Sequence, residues 1–100
     1  MYEVRIQPKG DKELVDFAIR CAVDNGKECA DRMTDSFEKT IALLEDFPQR
    51  GVKRLKYLPD YYRAVTFWSH KWLVYRIDET GKIVYINYLI DDRSNYGTLL

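Results

Sequence analysis

Cysteine and histidine are scarce in this chain: Cys21 and Cys29 are the only cysteines and His70 is the only histidine. Two cysteines lack the density of a secreted disulfide scaffold, and one histidine completes no zinc site of the usual spacing, so neither a metal nor a cofactor is expected. A reducing cytoplasm is the natural setting for such a chain. Net charge is absent too, with 16 Lys+Arg against 16 Asp+Glu, which excludes a uniformly basic nucleic-acid coat and leaves only local patches for anions. No apolar run approaches the ~18 residues of a membrane span, and the opening MYEVRIQPKGDKEL has none of signal length, so a cytoplasmic protein with no membrane association is expected. Patterns of the GxxxxGKS, GxGxxG, GxSxG and HExxH types are missing together, removing the usual signatures of several enzyme classes.

What is present is a pattern of elements. At 100 residues and 46% hydrophobic content, the chain is expected to fold as a single domain over residues 1–100. Tyr2, Val4 and Ile6 alternate with Glu3, Arg5 and Gln7 as in a strand with one wet face, and Pro8 ends it. From about Asp11, the positions Leu14, Val15, Ala18, Ile19, Ala22 and Val23 form the stripe of a core-packed helix, stopped by Asn25-Gly26. A second helix is expected from about Lys27 to Asp46, with Cys29, Met33, Phe37, Ile41 and Leu44 on one face, closed by Pro48 and Gly51. Joined by so short a link, the two must fold back as an antiparallel hairpin that needs a sheet to cover its apolar side. Tyr61 to Trp68, Lys71 to Asp78 and Lys82 to Ile90 are rich in β-branched and aromatic residues, and their short links make them a three-stranded antiparallel meander. The tail from Asp91 onward reads as a loop or short turn.

Few residues offer chemistry. Both cysteines fall in helical patterns, Cys29 on the apolar face, where a thiol behaves as a small hydrophobe. His70, in a tight strand link beside Lys71, can serve as an acid or a cation, though such a position is also that of an ordinary turn residue. Arg50, Lys53, Arg54 and Lys56 crowd one connector with no acid among them, and Arg63 follows. That patch suits phosphates, an acidic partner, or plain solvation. Eight tyrosines are mostly strand residues that pack, while Tyr61, Tyr62 and Tyr96 lie where a ring could stack on a base.

The stretch RLKYLPDYYRAVTFWSHKWLVYRI, from Arg54 to Ile77, carries a basic residue, a Pro-Asp-x-Tyr-basic turn into a strand, a hairpin and a Leu-Val-Tyr strand. With the closing Asp91, Asp92, Arg93 and Tyr96, it resembles the RelE/ParE superfamily of type II toxin-antitoxin toxins. The resemblance implies an α+β domain in which the N-terminal strand, the helical hairpin and the meander form one sheet-based fold. It also implies a growth-inhibiting toxin, acting by metal-independent, ribosome-dependent cleavage of mRNA. The alternatives are ParE-like inhibition of DNA gyrase and an inactive member serving as a binding module. Position by position, the resemblance implies that Arg63 holds phosphate, while Arg93 and Tyr96 match the tail, where the arginine stabilises the transition state and the tyrosine orients the nucleotide or exchanges a proton. Trp72 and Val65 stand where many RNA-cleaving members have cations, which leaves His70, Lys71 or Arg76 as substitutes. Lys53, Arg54, Lys56 and Lys71 are the expected RNA contacts. Phe47, Tyr57 and Leu58 are the expected contacts of a cognate antitoxin, and the other implied partners are the ribosome with its mRNA, or gyrase.

Overall fold

The computed structural model describes residues 1–53 and 58–93, so that Arg54, Lys56, Tyr57 and Tyr96 lie outside the described residues. The elements in order are β1 (Glu3–Ile6), α1 (Pro8–Asn25), α2 (Lys27–Asp46), a 3-10 turn (Pro48–Arg50), β2 (Tyr62–Trp68), β3 (Lys71–Asp78) and β4 (Ile83–Asp91). α1 starts at Pro8, ahead of the expected Asp11, because a proline at the first helical position gives up an N–H that has no partner there anyway.

One four-stranded sheet has the order β1-β4-β3-β2. The meander is antiparallel as expected, and β1 closes the sheet by pairing parallel to β4, from Glu3 opposite Ile83 to Ile6 opposite Ile86. The β3–β4 register shifts after Val74, which faces Tyr88 while Tyr75 faces Ile86, leaving Asn87 as the extra residue of a bulge.

The main core lies between the helical hairpin and the sheet. Met33, Phe37 and Leu44 of α2 meet Phe67, Leu73, Tyr75, Val84, Ile86 and Leu89, and the rings of Phe37 and Phe67 touch edge to face with centroids 5.2 Å apart. The Ser36 hydroxyl donates to the Phe67 carbonyl and ties α2 to β2. The opposite face of the sheet has its own cluster of Ala64, Val74 and Ile90, flanked by Leu58, Tyr62, Trp72 and Tyr88. Burial on both faces explains why β3 reads Leu-Val-Tyr without a polar interruption.

Two expectations are corrected. The α1 stripe is only half a core face: Leu14, Phe17 and Ala18 pack on the core, whereas Val15, Ile19 and Val23 are 50%, 58% and 79% exposed. A stripe of adjacent pairs is wider than the face one helix can press on a sheet, so its outer edge stays in solvent. The cysteines are not separate small hydrophobes either. Cys21 and Cys29 form a disulfide with Cα atoms 6.0 Å apart, within the usual span, because the antiparallel hairpin brings together residues placed four before Asn25 and four after it.

The segment after α2 is fixed by one buried group. The Tyr75 hydroxyl donates to the Pro48 carbonyl at 2.6 Å and accepts the Gly51 N–H at 3.0 Å. Gly51 is required there, since a Cβ would collide with that hydroxyl. We predict that Tyr75→Phe, which leaves both backbone groups unpaired, costs ~1–3 kcal/mol of stability. Urea denaturation at pH 7 measures it, and a midpoint equal to the parent's would contradict it.

Candidate functional site

His70, Lys71, Trp72, Asp91, Asp92 and Arg93 gather at the end of the sheet where β2 turns into β3. His70 takes a φ of 60°, a left-handed conformation that histidine accepts more readily than β-branched residues do. Its carbonyl accepts the Asp92 N–H at 2.8 Å, which fastens the chain beyond β4 over the turn. The Asp92 carboxylate is held twice, by the Trp72 indole N–H at 3.0 Å and by His70 Nδ1 at 2.8 Å. These bonds, Trp72 first and His70 second, keep its carboxyl below the ordinary range.

Beside it, Asp91 gathers two cations among the described residues. Arg93 reaches it with a two-pronged fork, Nε to Oδ1 at 3.2 Å and Nη2 to Oδ2 at 3.1 Å, and Lys71 Nζ donates to Oδ2 at 2.8 Å. Arg93 foremost, with Lys71 behind it, holds the Asp91 carboxyl well below the usual carboxylate range. Lys71 also sits 5.2 Å from the centre of the Phe17 ring, so α1 covers this ion pair. Among the described residues here, Lys71 and Arg93 match Asp91 and Asp92 in number.

A cavity of about 590 Å³ opens between this end of the sheet and the helical hairpin, with Arg20, Cys21 and Cys29 on one side and Trp68, Lys71 and Asp91 on the other. At its rim β1 has ended, and the Leu89 N–H of β4 donates instead to Glu13 Oε1 at 3.1 Å. Burial pushes the Glu13 carboxyl above its ordinary range, against the pull of that bond.

The residues singled out from sequence do not converge on one point. Arg63 lies at the start of β2, where its Nη1 donates to the carbonyls of Gln49 at 3.0 Å and Gly51 at 3.2 Å. Its partner on β3 is Tyr75, while the partner of Asp91 is Lys71, four residues away along the same strand. That is ~13 Å at the rise of an extended chain. Arg76 lies on the other face of the sheet, its guanidinium 4.3 Å from the centre of the Tyr85 ring. Lys53 is exposed, Phe47 is 62% exposed at the end of α2, and Leu58 is half-buried against the second cluster. The Asp-Asp-Arg run is visible in the sequence, but that its two aspartates are the hubs of this site is not, and neither is the place of Glu13. The one available signal was the short Ser69-His70 link, which sets the end of β4 beside the turn.

The ParE toxin family, described as the ParE toxin of type II toxin-antitoxin system, parDE, matches residues 4–96 of this chain. Among solved structures, the chromosomal ParDE TA system from P. aeruginosa is similar with a TM-score of 0.75 and 18% identity, over 91% of this chain and 96% of that one. This second likeness is one of fold. No curated protein matches.

Asp91 gives the site a pH signature. A carboxyl whose pKa is lowered on folding adds stability that is present above its unfolded value of ~4 and lost as the pH falls below it. Asp91→Asn is expected to cost ~1 kcal/mol at pH 7, with the deficit against the parent shrinking below pH ~4. Thermal melts across that range read it, and a deficit that stays constant with pH would exclude the charge as its source.

Proposed function

The chain belongs to the ParE toxin family of type II toxin-antitoxin systems, and from that premise we propose that it inhibits growth by binding a protein target rather than by cutting RNA. DNA gyrase, the target that the ParE branch implies, fits this reading, and it places the toxin in the cytoplasm. The observation that supports it is the engagement of the candidate catalytic cations. Arg63 is spent on two backbone carbonyls, Arg93 and Lys71 on Asp91, and His70 on Asp92. Cleavage by a 2′-hydroxyl needs a base, an acid and cations within hydrogen-bond reach of one phosphate. Here the cations sit ~13 Å apart along β3 or already face carboxylates, and a phosphate entering the site would have to displace Asp91. A binding inhibitor needs no such constellation.

The second partner in this reading is a cognate antitoxin. The exposed apolar side chains it could cover form two patches, Val15, Ile19 and Val23 along α1, and Leu43, Phe47 and Val52 near the end of α2. Phe47 was expected from sequence to serve this purpose, and its exposure suits it.

The test is a short induction in growing bacteria of the parent chain and of a His70→Ala/Arg93→Ala variant, whose changed residues are exposed. Both are expected to arrest growth with transcripts intact and DNA-damage signalling raised. New 5′ ends inside translated codons that vanish when translation is blocked, and are lost in the variant, would establish RNA cleavage instead. Harmless expression of the parent would point to an inactive binding module.

A further inference from the structure

The tip of the helical hairpin has little to hold it. Every residue from Val23 to Glu28 is exposed, and the first wholly buried side chain beyond the tip along α2 is Met33. Gly26, at a φ of 89°, ends α1 and begins α2, and no side chain caps the start of α2. The last turn of α1 has no basic residue to meet the negative end of the helix, and Asp24 there opposes it. Helix ends of this kind fray unless something ties them.

Cys21 and Cys29 supply that tie across the hairpin. Both are only partly buried, and they sit beside the exposed tip at the edge of the cavity of about 590 Å³, so the bridge lies close to the surface. We propose that this bridge is a reversible redox site, opened by a dithiol reductant of the thioredoxin class, and that it clamps the tip of the hairpin when closed. One thiolate of the reductant attacks a sulfur of the bridge and forms a mixed disulfide, and its second thiol displaces the remaining cysteine. The toxin gains two electrons and two protons as two thiols, and the reductant leaves as its own disulfide. Opening frees the last turn of α1 together with Ile19 and Val23, the most exposed part of its apolar stripe. The inference concerns the hairpin alone and holds whatever the toxin's target.

The experiment uses the full chain, purified under air and then treated with thioredoxin, thioredoxin reductase and NADPH. Thiols are counted by alkylation and mass spectrometry, and hydrogen exchange is followed by peptide. We expect no alkylated cysteine before treatment and two after it. Amides of residues 20–29 should then exchange ~10-fold faster or more, while those of β3 are unchanged, and glutathione disulfide should restore the slow rate. Cys21→Ser and Cys29→Ser chains, with β3 protection reporting that they are folded, should exchange fast at the tip in either condition. Two alkylated cysteines in the air-purified chain, a bridge that thioredoxin leaves intact, or equal tip exchange in both redox states would overturn the proposal.

Discussion

A phenol hydroxyl with no route to water must find its partners inside the protein, and that requirement at Tyr75 shapes much of this fold. Tyr75 sits on β3 between β2 and β4 with no exposed surface. Left unpaired, its hydroxyl would cost ~1–3 kcal/mol. The chain leaving α2 is therefore drawn in until Pro48 offers a carbonyl and Gly51 an N–H. From there Val52 exchanges two backbone hydrogen bonds with Ala64, so β2 is already held before its hairpin with β3 begins. Two further carbonyls of that bend, at Gln49 and Gly51, accept from Arg63. Burial pushes the Tyr75 phenol above its ordinary range, which keeps it protonated and donating.

Arg63 thereby has a duty that its position in a motif could not reveal. A basic residue after Pro-Asp-Tyr-Tyr looks like a phosphate ligand when only the sequence is in view. In the fold it completes the hydrogen bonding of a bend whose carbonyls would otherwise be half-satisfied. The same holds at the far end of β3, where Arg93 and Lys71 pair with Asp91 and where the Trp72 indole donates to Asp92. An indole at that place is an anchor for a carboxylate, and what it anchors is the start of the tail. Among the described residues, the cations at this sheet end thus already face carboxylates.

Most of the architecture was legible because period and punctuation agreed. Alternation in Tyr2 to Gln7, β-branched and aromatic runs in the meander, and Asn25-Gly26 between two helical stripes each gave the right element within a few residues. Pairing partners are set by distant contacts, and so the resemblance put β1 in the sheet without its parallel seat against β4, which only the structure shows. Periodicity marks a stripe but not which part of it meets the sheet, and for that reason Val15, Ile19 and Val23 read as core. The disulfide had a visible sign in the equal distance of Cys21 and Cys29 from Asn25, yet composition pointed the other way. The hubs Asp91 and Asp92 had no sign beyond the short Ser69-His70 link, since a carboxylate acquires a role only through what the fold sets beside it.

The two helices do not share the work of holding the domain together. α2 puts Met33, Phe37, Thr40 and Leu44 out of solvent, whereas in α1 only Gly10 is fully buried. α1 is therefore seated by partial contacts from Leu14, Phe17 and Ala18, by Glu13 bonded to Leu89, and by the bridge to α2. An element attached in this way is the one whose displacement costs the domain least, and such elements are where proteins tend to place adjustable surfaces. α1 also carries the longest exposed apolar stripe on the described chain. The surface with most to gain from a partner thus lies on the helix the core constrains least, and the constraint on its far end is a bond between two sulfur atoms.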